Sequence, residues 1–298
     1  MSKHKYGMLR SMTGFGRSEA ATGDKVITVE LKSLNGKQLE LNLKMPQSLK
    51  AYEFEIRSLM QQSLLRGSLE VTVNIKQNGS TKPVSVNNDL ARQYYHSIRD
   101  LARELQLPET DLLGALLRLP DVISPASEQL TETEWFQILQ VMTDAVRDLD
   151  LHRRDEGAML EQDLRLRIDQ ILSYREQVQK LEPQRREKMK QRLENLLHEH
   201  VGKENTDPNR LEQELVYYIE KIDISEELTR LASHCRYFRD ILGEEDPAKG
   251  KKLGFVLQEI GREINTTGSK ASDADIQQWV VLMKDELEKA KEQVLNVL

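Results

Sequence analysis

Three short runs near the start of the chain alternate apolar and polar residues with period two. Ile27, Val29 and Leu31 alternate with Thr28 and Glu30. Leu39, Leu41, Leu43 and Met45 alternate with Glu40, Asn42 and Lys44. Leu69, Val71, Val73 and Ile75 alternate with Glu70, Thr72, Asn74 and Lys76. One apolar and one polar face per strand is the pattern of an antiparallel sheet covered on one side. Asn35-Gly36, between the first two runs, is a hairpin signal, because both residues accept positive φ. Between the second and third runs, 51–65 reads as a helix. Phe54, Ile56, Leu59 and Leu64 are its apolar positions, and Arg66-Gly67 is its stop. A sheet with one packed helix makes a compact α+β module.

Further along, the apolar period becomes helical. A helix is predicted over 90–105, ended by Leu107-Pro108, and another over 111–119, ended by Pro120. Thr131 and Glu134 have the spacing of a capping box, in which each side chain satisfies a free amide of the first helical turn. A long helix then runs through Gly157 to 181, with Leu164, Ile168, Ile171, Val178 and Leu181 on one stripe. Pro183 permits a break, and 185–200 can return as an antiparallel partner through Met189, Leu193 and Leu196. The stripe is narrow, so this predicted hairpin needs a further surface to pack against, such as another subunit. Residues 202–208 form a polar break, followed by predicted helices over 209–242, 251–266 and 272–297. The expected fold class is α+β. An N-terminal antiparallel sheet with helices spans 8–155, a long helical hairpin 156–207, and an all-α C-terminal domain 208–298.

Composition narrows the function. Of 298 residues, 38% are hydrophobic, 31% charged and only 5% aromatic, which suits a helix-rich protein with long solvated faces. The net charge of −6 argues against a global attraction to nucleic acid, so binding RNA requires a local basic patch or a metal. Cys235 is the one cysteine, which excludes an intrachain disulfide and disfavours a Cys-based zinc site. No apolar stretch follows the basic residues of 1–12, and no run approaches the ~20 apolar residues of a membrane helix. A cytoplasmic protein, with no membrane partner and no organic cofactor, is expected.

Candidate chemistry sits in two polar helical stripes. In Asp223-Ile-Ser-Glu-Glu-Leu-Thr-Arg-Leu-Ala-Ser-His234, the residues Asp223, Glu227, Arg230 and His234 are spaced by 4, 3 and 4, with Glu226 beside them. The segment Gln258-Glu-Ile-Gly-Arg-Glu-Ile-Asn-Thr-Thr-Gly-Ser-Lys270 repeats that spacing in Glu259, Glu263, Thr266 and Lys270. Gln258, Arg262 and Asn265 form a neighbouring edge, and Gly268 can end the helix before Lys270. Packed antiparallel, the stripes would face each other. Carboxylates with one imidazole suit a hard divalent ion such as Mg²⁺ or Mn²⁺, with Asp223, Glu226, Glu227, Glu259, Glu263 and His234 as the ligand candidates. Such an ion lowers the pKa of a bound water and neutralises a phosphate oxygen. Arg230, Arg262 and Lys270 can hold a phosphate, and His234 can act as a general acid or base because imidazole titrates near neutral pH. The plainer reading is that i, i+3 and i, i+4 charge pairs are solvated surface salt bridges.

The segment 175–192 holds seven Lys or Arg and three Asp or Glu, a local charge of +4. Arg185, Arg186, Lys188, Lys190 and Arg192 cluster at the predicted hairpin tip, where they can track an RNA backbone. The alternative is again a solvated helix face, and no aromatic residue interleaves for base stacking. The chain has no phosphate-binding Gly loop, no G-x-S-x-G and no paired Cys.

These motifs resemble a known family. Ser11-Met-Thr-Gly-Phe-Gly-Arg17 is similar to the opening motif of YicC/YloC-type proteins, Glu30-Leu-Lys-Ser-Leu-Asn35 to the strand that follows, and Arg66-Gly67 fits as well. The 223–234 stretch, Gln258-Glu259, the run from Arg262 to Lys270, and Glu292-Gln293 resemble the family's C-terminal motifs. The resemblance implies a bacterial endoribonuclease that cuts RNA with a divalent metal, usually Mn²⁺, and assembles as a homo-hexamer around a channel. It places the metal and catalytic centre on Asp223, Glu226, Glu227, Arg230, His234, Glu259, Arg262, Glu263, Asn265 and Lys270. The implied reaction is hydrolysis of an internal phosphodiester. Gly36-Lys37, Gly254 and Gly261 depart from the family pattern, and the two helical glycines add flexibility at roughly 1 kcal/mol each against Ala. Two rival functions are a non-catalytic RNA-binding or adaptor oligomer and a purely structural oligomer.

Overall fold

The computed structural model describes residues 9–23, 25–36, 38–63, 67–77, 84–106, 112–125, 130–201, 208–246 and 248–298. Strands β1 (Gly14–Thr22), β2 (Lys25–Leu34), β3 (Leu39–Lys44) and β4 (Gly67–Gln77) form one sheet in the order β1-β2-β4-β3. A 3-10 turn (Gln47–Tyr52) and α1 (Glu53–Ser63) lie between β3 and β4. Strand β5 (Val84–Val86) pairs with β6 (Ile123–Pro125) around α2 (Asn88–Glu104) and α3 (Leu112–Leu116). Helix α4 (Glu132–Val201) is followed by α5 (Pro208–Ile222), α6 (Ser225–Leu242), α7 (Gly250–Ala271) and α8 (Ala274–Val294). The α+β class stands. Expected features at Lys37, Leu64, Arg66, Leu107-Pro108, Asp111 and 202–207 lie outside the described residues.

The alternating runs become the sheet as predicted, with Ile27, Val29, Leu31, Leu69, Val71 and Val73 buried on its inner face. Their pairing differs from the expected antiparallel sheet. β4 sits between β2 and β3 and runs parallel to β3, so Asn35-Gly36 does not close a hairpin. Asn35 instead donates its side-chain amide to the Leu295 carbonyl at 2.7 Å. The chain must cross over to bring β3 to the far edge of β4, and the turn with α1 makes that parallel connection.

Strand β1 carried no apolar alternation because its inner face is Gly14, Gly16, Ser18 and Ala20, paired with the inner positions of β2. The reason is close approach. A Cβ on Gly16 would lie 2.3 Å from the Ala145 carbonyl oxygen and 2.6 Å from the Leu149 amide of α4. The helix backbone rests directly on this strand, with no side-chain layer between. A Cβ on Gly157 would likewise meet the Leu9 carbonyl oxygen at 2.0 Å. Ser33 donates its hydroxyl to the Met12 carbonyl, and the buried Arg153 donates to the Ser33 hydroxyl and to the Met12 carbonyl. Thr13 donates to Glu156 at 2.9 Å. The opening Ser11–Arg17 motif is therefore a joint between sheet and helix. It also meets the chain's other end, where Met12 donates to the Asn296 carbonyl and Leu298 to the Arg10 carbonyl.

Helix α4 is a single helix of 70 residues, about 105 Å long, where a hairpin broken at Pro183 was expected. The capping box at its start forms as read, with Thr131 N to Glu134 at 2.9 Å and Glu134 N to the Thr131 hydroxyl at 3.3 Å. Proline removes one amide and crowds the carbonyl four residues earlier, a cost of ~3 kcal/mol. The helix persists because Glu182 and Arg185, on either side of Pro183, are both buried against the C-terminal helices. Ile138, Val141, Met142, Ala145 and Leu149 face the sheet core, while Leu164, Ile168, Ile171 and Val178 face a second core with α6, α7 and α8. The narrow stripe thus finds its partner within the chain.

Helices α7 and α8 approach through glycines seven residues apart. Built Cβ atoms on Gly254, Gly261 and Gly268 would meet Val294 at 3.9 Å, Leu287 at 3.0 Å and Val280 at 3.0 Å. Gly261 and Gly268 serve this contact, and α7 continues past Gly268 to Ala271. Glu286 of α8 accepts from Arg167 of α4 at 3.0 Å and from Lys289 at 2.8 Å. Burial raises the Glu286 carboxyl, but the bonds from Lys289 and Arg167 outweigh it and hold the group below the usual carboxylate range.

A depressed carboxylate stabilises the fold above its unfolded pKa, and that contribution disappears as pH falls through the folded value. Glu286→Gln is expected to lower Tm at neutral pH and to weaken the decline of Tm below about pH 4.5, read by calorimetry across pH. Gly16→Ala is expected to cost about 3 kcal/mol or more, since its Cβ meets helix backbone that cannot step aside, and urea unfolding would show it.

Candidate functional site

One guanidinium anchors the region. Arg185 of α4 donates in a two-bond fork to Glu182 at 2.8 and 3.0 Å, to the Ile222 carbonyl at the end of α5 at 2.6 Å, and to the Ala271 carbonyl at the end of α7 at 2.7 Å. Helix C-termini leave carbonyls without partners and carry negative dipole, so an arginine there satisfies both demands. Arg185 was expected to track RNA, yet it is buried and occupied. Arg186, Lys188, Lys190 and Arg192 remain exposed. Glu182 was not anticipated, although an acid three residues before an arginine was the available signal.

The expected single helix over 209–242 is broken at Asp223. Its carboxylate accepts from the Ser225 amide at 2.8 Å, a local bond that competes with helix continuation. That bond, through the Ser225 side chain and backbone, lowers the Asp223 pKa, with Arg186 and Lys270 adding attraction. Asp223 thus lies at the α5–α6 corner rather than on the α6 stripe. Lys270 donates to Glu227 at 2.7 Å and to the Asp223 carbonyl at 3.2 Å, tying the start of α6 to the end of α7. The Glu227 Oε2 atom is buried without a hydrogen-bond partner among the described residues.

Helices α6 and α7 pack antiparallel. The Glu227–Lys270 pair marks one end of their shared face, and the Lys252 ammonium, 5.5 Å from the centre of the Tyr237 ring, marks the other. Counting turns inward from these two contacts sets Arg230 and His234 of α6 level with Glu263 and Glu259 of α7. Arg230 is paired with Glu226 one turn earlier. Glu259, Arg262 and Asn265 are exposed, His234 is half-buried and Glu263 is buried. Among the described residues, the side chains of these last five make no hydrogen bond or ion pair to protein. Cys235 packs in the core, where burial pushes its thiol up to about 12, too high to supply a thiolate.

The expected metal set does not converge within one chain. Among the described residues, no three His, Cys, Asp or Glu side chains gather so as to hold an ion. Three of the six candidates are already occupied, Asp223 by the Ser225 amide, Glu226 by Arg230 and Glu227 by Lys270. A surface hollow of about 220 Å³ lined by Phe136, Leu139, Gln140, Thr143 and Asp144 lies on the N-terminal part of α4, away from these groups. Among the described residues, no helix is long and apolar enough to cross a membrane.

A helical face that presents free carboxylates, an imidazole and guanidinium groups side by side is suited to acid–base chemistry on a phosphate ester. Residues 9–162 match the family described as endoribonuclease YicC-like, N-terminal region, and residues 174–298 match endoribonuclease YicC-like, C-terminal. A probable endoribonuclease YicC of Clostridioides difficile is 31% identical over 97% of this chain and all of its own length. One of Haemophilus influenzae is 32% identical over the same shares. The chain belongs to the YicC-like endoribonuclease family.

Arg185→Ala strands Glu182 under the surface and is expected to cost about 3–5 kcal/mol, whereas Lys188→Ala, on an exposed side chain, is expected to stay within about 0.5 kcal/mol. Urea unfolding of the two variants checks this contrast.

Proposed function

We propose that this protein is an endoribonuclease that hydrolyses internal phosphodiester bonds of RNA on the α6–α7 face. The observation that carries the reading is the level placement of His234 and Glu259, with Glu263 and Arg262 beside them, all free of internal partners among the described residues. Family membership supplies the reaction class. A water attacks phosphorus. Glu259 or Glu263 accepts its proton, and His234 gives a proton to the departing sugar oxygen, so one P–O bond forms as another breaks. Arg262 faces the phosphate and stabilises its growing charge. Arg230, exchanging Glu226 for phosphate, contributes similarly. Arg186, Lys188, Lys190 and Arg192 steer the RNA backbone, and Asn265 offers a polar contact nearby. Lys270 serves mainly to hold the corner of the site together.

No step here runs through a metal, because among the described residues no three candidate ligands gather in one chain. Whether Mn²⁺ or Mg²⁺ is required is decided by assay with each ion and with EDTA. Assembly of several copies, a homo-hexamer by analogy with the family, is part of the same proposal. It is supported by exposed Met159 and Leu166 on α4 and Val281 and Leu282 on α8, which lack cover in the single chain. Light scattering reports that state.

Glu263→Gln and His234→Ala are each expected to slow cleavage of a labelled RNA hairpin by about 10²-fold or more, with circular dichroism and assembly unchanged. Equal cutting by wild type and Glu263→Gln would sink the reading, since it would point to a contaminant and favour a non-catalytic RNA adaptor.

A further inference from the structure

Two aromatic side chains lie at the same end of the α6–α7 face. Tyr237 follows His234 by three residues, one turn along α6. Phe255 precedes Glu259 by four residues, one turn along α7. Because the helices run in opposite directions, both steps lead toward the same end of the face. Tyr237 is 46% exposed and Phe255 is 56% exposed. Each ring has a lysine over it. The Lys252 ammonium lies 5.5 Å from the Tyr237 centroid, and the Lys251 ammonium 5.9 Å from the Phe255 centroid. Lys252 is also held by Glu244 at 2.7 and 2.9 Å, which fixes it beside its ring.

We propose that Tyr237 and Phe255, with Lys251 and Lys252, form a base-stacking subsite that selects single-stranded or unpaired RNA next to the scissile phosphate. The inference rests on the nuclease reading of the α6–α7 face. Rings that stack on bases and ammonium groups that meet the linking phosphates are the two components of single-strand recognition. A nucleotide in a duplex has both base faces covered by its neighbours, so only splayed bases reach such rings. One turn of helix between Phe255 and Glu259 is about 6 Å, close to the spacing of successive nucleotides in an extended strand. A base stacked on either ring therefore brings the phosphate one nucleotide further along the strand level with His234 and Glu259, one turn away. The net charge of the chain is −6, so affinity cannot come from long-range attraction alone, and stacking supplies a part that salt does not screen.

The test uses the whole protein and three RNAs, a short labelled single strand, the same strand annealed to its complement, and the same strand with abasic nucleotides at adjacent positions. Binding is read by fluorescence anisotropy and cleavage by initial rates. Wild type is expected to prefer the intact single strand, and abasic sites are expected to weaken binding by about ten-fold per base lost from a ring. Tyr237→Leu and Phe255→Leu are each expected to weaken single-strand binding by about ten-fold and to become insensitive to the abasic sites, while Tyr237→Phe and Phe255→Tyr retain wild-type behaviour. Wild type that binds intact and abasic strands equally overturns the subsite without recourse to any variant. A leucine double variant that binds and cuts as wild type overturns it as well and leaves the nuclease reading standing. A double variant that changes only the assembly state does the same, assigning the rings to subunit contact. Abasic-sensitive binding by a wild type that cuts no RNA supports the stacking subsite while removing the nuclease reading.

Discussion

The guanidinium of Arg185 joins α4 to the C-terminal ends of α5 and α7. Its fork to Glu182 keeps the charge paired below the surface, and its remaining donors close carbonyls at the ends of α5 and α7. A buried ion pair of this kind adds little net stability over an apolar contact, but it tolerates very few geometries. The corner at Asp223, the start of α6 and the end of α7 are therefore positioned together. Lys270 then repeats the arrangement at smaller scale, linking Glu227 to the Asp223 carbonyl. The polar α6–α7 face inherits its register from these two cations.

Much of the fold could be read from period alone. The runs starting at Ile27, Leu39 and Leu69 became strands, and the stripe from Leu164 to Val178 became a core face. What escaped was decided by contact at a distance in sequence. β1 was silent because α4 lies on it so closely that only Gly14, Gly16, Ser18 and Ala20 fit beneath. The hairpin signal at Asn35-Gly36 was overruled by β4, which inserts between β2 and β3. Pro183 is a valid break signal that tertiary burial of its neighbours suppressed.

The candidate site was legible in kind and less so in arrangement. Helical spacing grouped Glu227, Arg230 and His234 with Glu259 and Glu263, and the helices do pack antiparallel. Spacing alone does not say which charges neutralise each other. Glu226 took Arg230 and Glu227 took Lys270, leaving His234, Glu259, Arg262 and Glu263 as the free set. Arg185 shows the same limit, since one basic residue of a cluster turned inward while Arg186 beside it stayed in solvent. The Ser11–Arg17 motif reads in sequence as a signature, and in three dimensions as a weld between sheet, α4 and the final turn of the chain.

Because α4 belongs to both cores, its length between Leu149 and Leu164 acts as a phase setting. Inserting one residue there would advance the C-terminal core by about 1.5 Å and turn it by about 100° about the helix axis. Leu164, Ile168 and Ile171 would then point away from α6, α7 and α8 while the sheet end kept its grip on Leu149. An insertion of seven residues, close to two full turns, would restore the direction but carry the C-terminal core about 10 Å further out, severing the Ser11–Val297 bridge. The span between the cores is consequently fixed in both angle and distance, and a family sharing this architecture can vary its residues there far more readily than their number.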